Sequence, residues 1–302
     1  MEIMEKAAIL GVTGFVGRGL PTLLATAGMS TTGISRAGSG KVAGVAAWQG
    51  VEQLDLAGHS VVINLAGEPI DRRWTAESKR RFHESRVGLT NRVVAAISKL
   101  PAVERPRVLV NASAVGIYGD RGDEVLGEAA PRGEGYLADL CGAWEAAAME
   151  AEALGVRVVR LRIGIVLGQE GAAFQKLMRV FNLGVGGKLG SGNQWMPWIH
   201  VADLRAAIVH AVGSSTLAGA VNGTAPGPER NVDFTRKLAS AVRRPAFCHA
   251  PGFALKIALG GFGGALLAGQ RALPLALEAD GFRFRYPTLE RALGDLIPAS
   301  RG

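Results

Sequence analysis

Cysteine is almost missing from this chain: Cys141 and Cys248 are the two thiols in 302 residues. Two such residues cannot build a disulfide framework, and their separation is not that of a metal site, so no metal is expected. That usage fits a reducing, cytoplasmic setting. Long hydrophobic runs are missing as well. The apolar stretch 253–269 is broken by Lys256 and five glycines. It is also shorter than the roughly 20 residues a membrane span needs, so it reads as a buried or lid helix. The opening MEIMEKAAILG has neither the apolar core nor the cleavage site of an export signal. No membrane association is expected. Two further gaps bear on chemistry: no lysine occurs between Lys99 and Lys176, and no carboxylate from Thr31 to Gly50.

The balance of what remains is globular. Hydrophobic residues reach 48% against 20% charged, which excludes a disordered chain. The length allows one large domain or two medium ones. A net charge of +8 raises the question of nucleic acid, but the arginines are dispersed and no RNP motif or basic arm is present, so no nucleic-acid partner is expected. The densest cluster, Lys79-Arg80-Arg81, falls on an amphipathic helical pattern and reads as a solvated face. No repeat or low-complexity segment is visible.

The most informative stretch is AAILGVTGFVG at 7–17. Ala7 to Leu10 reads as a buried strand. Gly11 permits a tight turn, and Gly14 leaves room for a pyrophosphate. Gly17 lets the next helix pack close. A helix starting near Phe15 would aim free N–H groups and its positive end at an anion, with Thr13, Phe15 and Val16 in the same loop. Further strand-like runs at 31–35, 61–67, 107–111 and 156–161 alternate with helical patterns at about 75–100 and 137–153. A glycine-rich loop follows the second strand. This alternation predicts an α/β fold, a Rossmann-type doubly wound parallel sheet. Ligands in such sheets sit beyond the carboxyl ends of the strands. Residues 1–167 with about 201–224, including a helix at about 201–212, are expected to form the nucleotide-binding region. The smaller C-terminal, substrate-side region takes 168–200 and 225–302.

An NAD site usually carries an acidic residue at the end of the second strand. Here that place holds Ser35 and Arg36, a hydroxyl and a guanidinium suited to a ribose 2′-phosphate, so NADP(H) is the expected cofactor. Arg86 lies along the apolar stripe Phe82, Leu89, Val93, Ile97 and needs a partner. That partner is either a cofactor phosphate or a carboxylate such as Glu68. Leu65-Ala66-Gly67 and Gly164-Ile165-Val166 also follow strand ends.

These segments together resemble an extended, atypical short-chain dehydrogenase/reductase, and more closely an epimerase-like family with a C-terminal domain of unknown function. The likeness rests on the order of GVTGFVG at 11, ISRAG at 34, VVINLAGEPI at 61, RRW at 72, SRVGLT at 85 and ASAVGIYGD at 112. It continues through WEAAA at 144, RIGIVLG at 162, GSGNQWMPWIHVADL at 190, VNGTAPGPERNVDF at 221 and GFRFRYPTLERAL at 281. The resemblance implies NADP bound through Gly11–Gly17, Ser35, Arg36, Leu65, Ala66 and Arg86. It places Gly164 to Val166 beside the nicotinamide, with Ser113 nearby.

The wider superfamily uses a tyrosine, a lysine four residues on and an upstream Ser or Thr. The helix that should carry the pair has no lysine. Alignment on Glu145 puts Leu137 and Cys141 in the two places, and Tyr136 is one residue off, about 100° around a helix. The upstream position falls on Ser113 or Ala114, depending on a one-residue gap, so the candidate catalytic groups are Tyr118, which can also be a core residue, and Ser113. Glu68, Trp195, Trp198 and His200 are candidates for the pocket of an unknown small-molecule substrate, although His200 is better suited to fixing the loop ahead of Asp203 and tryptophans more often pack than hold ligands. Cys141 reads as buried and inert. The expected protein is an NADP-dependent oxidoreductase or epimerase-like enzyme, monomer or homodimer. The alternative is a non-catalytic NADP(H)-sensing or regulatory protein, a reading that matches the cell-division-inhibitor label some members of the family carry.

Overall fold

A computed structural model describes residues 5–297; the outermost parts of the two expected regions, 1–4 and 298–302, lie outside the described residues. Its centre is a seven-stranded sheet. The strands are β1 (Glu5–Leu10), β2 (Met29–Ser35), β3 (Val45–Gly50), β4 (Val61–Asn64), β5 (Val108–Ala114), β6 (Arg157–Ile163) and β7 (Gly219–Gly223). They pair in the order β7-β6-β5-β4-β1-β2-β3, every pair parallel. The order reverses between β1 and β4, which is where such sheets open a crevice. Register brings Ile34, Leu10, Asn64, Asn111 and Arg160 into one row near that edge.

Period-two alternation explains the layers. Ala7, Ile9, Val61, Ile63, Val108 and Val110 face one core with Leu20 and Leu24 of α1 (Leu20–Thr26). Ala8, Leu10, Val62, Leu109 and Val158 face the other core. There they meet Val93 and Ile97 of the helix Leu89–Ser98.

The segment at 75–100 is helical, as its stripe indicates, but not uniform. It runs as α2 (Ala76–His83), a wider π turn over Glu84–Gly88, and α3 (Leu89–Ser98). Thr75 caps it by accepting from the Ser78 N–H. The next helix, α4, spans Tyr136–Met149. Then come α5 (Ala172–Asn182), α6 (Val201–Gly213) and α7 (Asn231–Val242). Leu204, Ala207, Ile208 and Ala211 of α6 complete the first core.

Three expectations need correction. The helix after the glycine loop does not start near Phe15. A 3-10 turn occupies Gly17–Gly19 and α1 begins at Leu20, with Pro21 at its start. The chain between β2 and β4 is not all loop: Val45–Gly50 forms the sheet edge, its Trp48 ring seated where Gly33 and Gly40 have no side chain. The stretch 253–269 is two short helices, α8 (Gly252–Leu259) and α9 (Gly261–Leu267), parted at Gly260 with φ +60°. Phe253 and Ile257 are exposed there, so it is not a buried helix. Two last helices, α10 (Leu275–Ala279) and α11 (Leu289–Leu296), follow. β7 was not anticipated, because GAVNG is short and glycine-rich. Among the described residues no helix is long and apolar enough to cross a membrane.

Three small strand pairs tie later segments over the carboxyl end of the sheet. Ile165–Leu167 pairs with Trp198–His200, Trp195–Met196 with Glu229–Arg230, and Val125–Leu126 with Arg271–Ala272. A third core of Trp198, Phe174, Phe181, Phe234, Leu289 and Leu293 lies beneath them.

Candidate functional site

Two cavities open at the carboxyl edge of the sheet, and Leu65, Ala66 and Gly67 line both. Past Asn64 the backbone leaves β4, and a buried polar network fixes its path. Asn64 donates to Asn111 Oδ1 at 2.8 Å and to Thr90 Oγ1 at 3.1 Å, and accepts from the Ala66 N–H at 3.3 Å. Trp144 Nε1 donates to the same Thr90 hydroxyl. Buried amides of this kind are held because leaving them unpaired would cost about 1–3 kcal/mol each.

The first cavity, of about 580 Å³, lies against the glycine loop. Gly11 sits at φ +79°, and a Cβ there would come within 2.9 Å of the Leu65 carbonyl carbon. A Cβ on Gly17 would fall 2.3 Å from the Gly11 oxygen, so this turn excludes larger residues. Gly11, Thr13 and Gly14 line the cavity with Ser35 and Arg36. Phe15 and Val16 do not line it. Their carbonyls accept from Arg205 at 2.6 and 3.0 Å, and the Phe15 ring packs where Gly168 and Gly171 leave space.

Arg72, Arg80, Arg81 and Arg92 surround the same cavity. Lys79, Arg80 and Arg81 are exposed, as expected of a solvated face, and Arg80 and Arg81 also reach the wall of this cavity. Glu68 stands among them, 2.7 Å from Arg81 and 3.5 Å from Arg72. The Arg81 hydrogen bond, with Arg72 and Arg36 adding attraction, holds the Glu68 carboxyl below its usual range. Glu68 was expected in the substrate pocket and instead faces this basic cavity.

Arg86 is neither on a phosphate-side wall nor paired with the Glu68 carboxylate. Its Nη2 donates to the Glu68 carbonyl at 2.8 Å, and its plane lies 5.4 Å from the Trp144 ring. A Cβ on Gly67 would sit 3.1 Å from its Cζ. The π turn at Glu84–Gly88 sets this position: the extra residue per turn swings Arg86 toward the second cavity.

That second cavity, about 650 Å³, is the inner one. Ser113, Gly164 and Ile165 line it at the strand ends, while Val166, paired with Ile199, packs against the first core and does not. A Cβ on Gly164 would meet the Pro197 oxygen at 2.5 Å, so this residue must be small. Leu137, Leu140, Cys141 and Trp144 present one face of α4 to it. Tyr136, set aside on helical phase, also reaches it, because it starts the helix and can lean toward Trp74, 5.1 Å away. Burial pushes the Tyr136 hydroxyl above its usual pKa. It pushes the Cys141 thiol up to about 12, so that thiol stays neutral.

Beneath Ser113 lies a closed set of charges. The Ser113 hydroxyl donates to Glu145 Oε1 at 2.7 Å. Arg162 grips Glu145 with Nε at 2.8 Å and Nη2 at 3.0 Å, and Arg160 adds a contact at 3.2 Å. Burial opposes the Arg162 charge, but the Glu145 bonds outweigh it and raise its pKa. Arg162 Nη1 continues to the Tyr118 hydroxyl at 2.9 Å, which donates to Asn222 Oδ1 at 2.7 Å. Charges alternating with apolar residues in RVVRLRI were the sequence signal for this set.

Three candidates are thereby corrected. Tyr118 is fully buried and lines neither cavity; burial raises its pKa, and its hydroxyl is consumed by Asn222 and Arg162. Trp198 and His200 are core residues. Trp198 Nε1 donates to the Gly227 carbonyl, and His200 accepts from the Ala202 N–H to cap α6. His200 also stacks on Tyr286 at 3.9 Å. Trp195 does line the inner cavity, its indole N–H donated to Asp123 at 2.8 Å and its ring flanked by Arg230 and Arg271. No cluster of metal-ligating residues occurs among the described residues.

Comparison with known proteins adds the following. The pattern of the NAD dependent epimerase/dehydratase family matches residues 7–222, and a domain of unknown function, DUF1731, matches 250–296. The chain is 38% identical over 305 residues to the epimerase family protein SDR39U1 homolog, chloroplastic, of Arabidopsis thaliana, covering 97% of this chain and 86% of that one. It is 36% identical over 297 residues to the epimerase family protein YfhF of Bacillus subtilis, covering 96% and 97%. Among solved structures it is similar to human epimerase family protein SDR39U1 (isoform 2) with NADPH, at TM-score 0.87 and 30% identity, over 97% of this chain and 99% of that one.

Proposed function

The chain belongs to the NAD dependent epimerase/dehydratase family, and from that premise we propose that it is an NADP(H)-dependent oxidoreductase or epimerase-like enzyme acting on a small molecule. The observation that carries this reading is the pair of cavities joined at Leu65-Ala66-Gly67, one rich in arginine and one apolar. A dinucleotide needs such a path, with its phosphates at one end and its reactive ring at the other. The residues present fit the group: the glycine loop is open where a Cβ would clash, and Ser35 and Arg36 line the same cavity, where the Arg36 guanidinium is a partner suited to a 2′-phosphate.

In this assignment Gly11, Thr13, Gly14, Phe15, Val16 and Gly17 form the pyrophosphate turn. Ser35 and Arg36 select the 2′-phosphate, helped by Arg72 and Arg81. Leu65, Ala66 and Gly67 support the ribose, and Arg86 braces Gly67 from behind. Ser113, Gly164 and Ile165 border the nicotinamide, backed by Val166, and the nicotinamide when bound would supply or take a hydride. Ser113 is the catalytic candidate that remains on the cavity wall. Because its proton goes to Glu145, its free lone pairs can accept from a substrate hydroxyl. Glu145, held by two arginines, keeps that orientation.

A second reading, non-catalytic NADP(H) sensing, draws support from the same geometry: no lysine lines the inner cavity among the described residues, and Tyr118 is sealed in the core. The two are separated by offering NADPH with a panel of carbonyl compounds and following nicotinamide absorbance. Tight NADPH binding with no turnover favours sensing; absence of NADPH binding by calorimetry on folded protein removes both. We further propose the division into 1–167 plus 201–224 and 168–200 plus 225–302, a cytoplasmic location, and a monomer or homodimer.

A further inference from the structure

The two halves of the crevice differ in charge, and that difference constrains the substrate. Five arginines line the outer cavity. In the inner cavity Arg86 is the one basic side chain among the described lining residues, and its guanidinium is already committed to the Glu68 carbonyl and the Trp144 face. Two acidic residues, Asp120 and Glu134, stand at that cavity instead. A diphosphate entering here would lose its water without meeting a basic lining side chain free of partners, since Arg230 and Arg271 are packed on the Trp195 ring and Arg230 is paired with Asp123, and it would face like charge.

The remaining walls are aromatic and aliphatic. Trp74 packs against Tyr136 at 5.1 Å and Phe262 at 6.4 Å between ring centroids. Leu137, Met196 and Leu266 extend the same surface. Phe262 and Leu266 come from α9, which lines this cavity and is parted from α8 at Gly260. Part of the roughly 650 Å³ must also admit the nicotinamide end of a dinucleotide, because Leu65 to Gly67, Ser113 and Gly164 belong to it. What is left suits a compact ring system rather than a sugar joined to a nucleoside diphosphate.

We propose that the inner cavity takes an uncharged aromatic or alicyclic carbonyl compound and excludes nucleotide sugars. The inference rests on the NADP(H) reading above for its chemistry. The carbonyl carbon gains a hydride from the reduced nicotinamide nucleotide as its π bond breaks. The oxygen takes a proton from solvent water, and an alcohol and the oxidised nucleotide result. The aromatic wall holds the ring, and Ser113 accepts a hydrogen bond from the hydroxyl of the alcohol.

The test is calorimetry on the full chain with three probes: NADPH alone, then 1-acetonaphthone and UDP-glucose separately on NADPH-saturated and nucleotide-free protein. The expected result is one-to-one binding of 1-acetonaphthone and no heat from millimolar UDP-glucose. Phe262→Asp should weaken the ketone at least tenfold and leave NADPH affinity within twofold; Leu266→Asp serves as the second variant if the first does not fold. One-to-one UDP-glucose binding, or no ketone binding to protein that does bind NADPH, overturns this proposal alone. Ketone binding that survives while NADPH gives no heat supports the cavity's preference and overturns the cofactor reading instead. Ketone affinity unchanged in both folded variants overturns the placement.

Discussion

The two cavities use charge in opposite ways. In the outer one, Glu68 and Glu52 meet Arg72, Arg81 and Arg92 at partly exposed positions, where water screens each pair. Such contacts are cheap to exchange, so an incoming phosphate can replace a carboxylate. Below the inner one, Glu145 and Arg162 are 5% and 8% exposed and share a bidentate contact. That pair cannot be exchanged, because separating it would strand a charge in the core. The outer set is suited to bind, and the inner set is suited to hold Ser113 and Tyr118 still.

The largest effect should come from breaking the inner set. Arg162→Met leaves Glu145 without its main partner and is expected to lower stability by about 3–5 kcal/mol. A denaturant midpoint equal to wild type would show that Arg160 alone suffices. Next, Arg36→Ala should weaken NADPH by about 1.5–3 kcal/mol, the value of a charge-assisted contact, with little change for NADH. Equal losses for both nucleotides would move the 2′-phosphate site away from Arg36. Tyr118→Phe removes the donor to Asn222 and is expected to cost about 1–3 kcal/mol of stability while nucleotide affinity stays intact. Loss of turnover without loss of stability would return Tyr118 to the reaction.

Two smaller effects sharpen the contrast. Glu68→Gln releases Arg72 and Arg81, so NADPH should bind a few-fold tighter, most clearly at low salt where exposed charges are least screened. Unchanged affinity would mean that these arginines do not reach the phosphate. At the inner cavity, Cys141 has its pKa raised by burial to about 12. A raised folded value means the neutral thiol stabilises the fold fully below the ordinary value of 9.0 and progressively less as pH climbs toward 12. At pH 8, iodoacetamide should therefore label half-buried Cys248 and spare Cys141. Rapid labelling of both on folded protein would show that the inner cavity is wet and open.

Legibility in the sequence followed the range of the forces. The glycine loop was readable because Gly11 and Gly17 are required by atoms of the same turn and its neighbouring strand. The start of α1 was placed too early, since Pro21 and a 3-10 turn decide it, not the loop glycines. Tyr118 was a candidate because it follows a strand end, yet Asn222 and Arg162, 104 and 44 positions away, fill its hydrogen bonds. Tyr136 was dismissed on helical phase, which does not constrain the first residue of a helix. Trp198 and His200 sat beside flexible-looking glycines, but a short parallel pairing with Ile165–Leu167 draws them into the core.

Local pattern thus settled the α/β alternation, the parallel sheet and the end of the sheet at which the two cavities open, because strand period and turn geometry act between near neighbours. The charge of each cavity was decided only by folding. Arg86 from a π turn, Glu145 from α4, Arg162 from β6 and Phe262 from α9 are far apart along the chain. Whether a charged side chain ends beside water, a carboxylate or an aromatic face depends on desolvation and on partners that no sequence window contains.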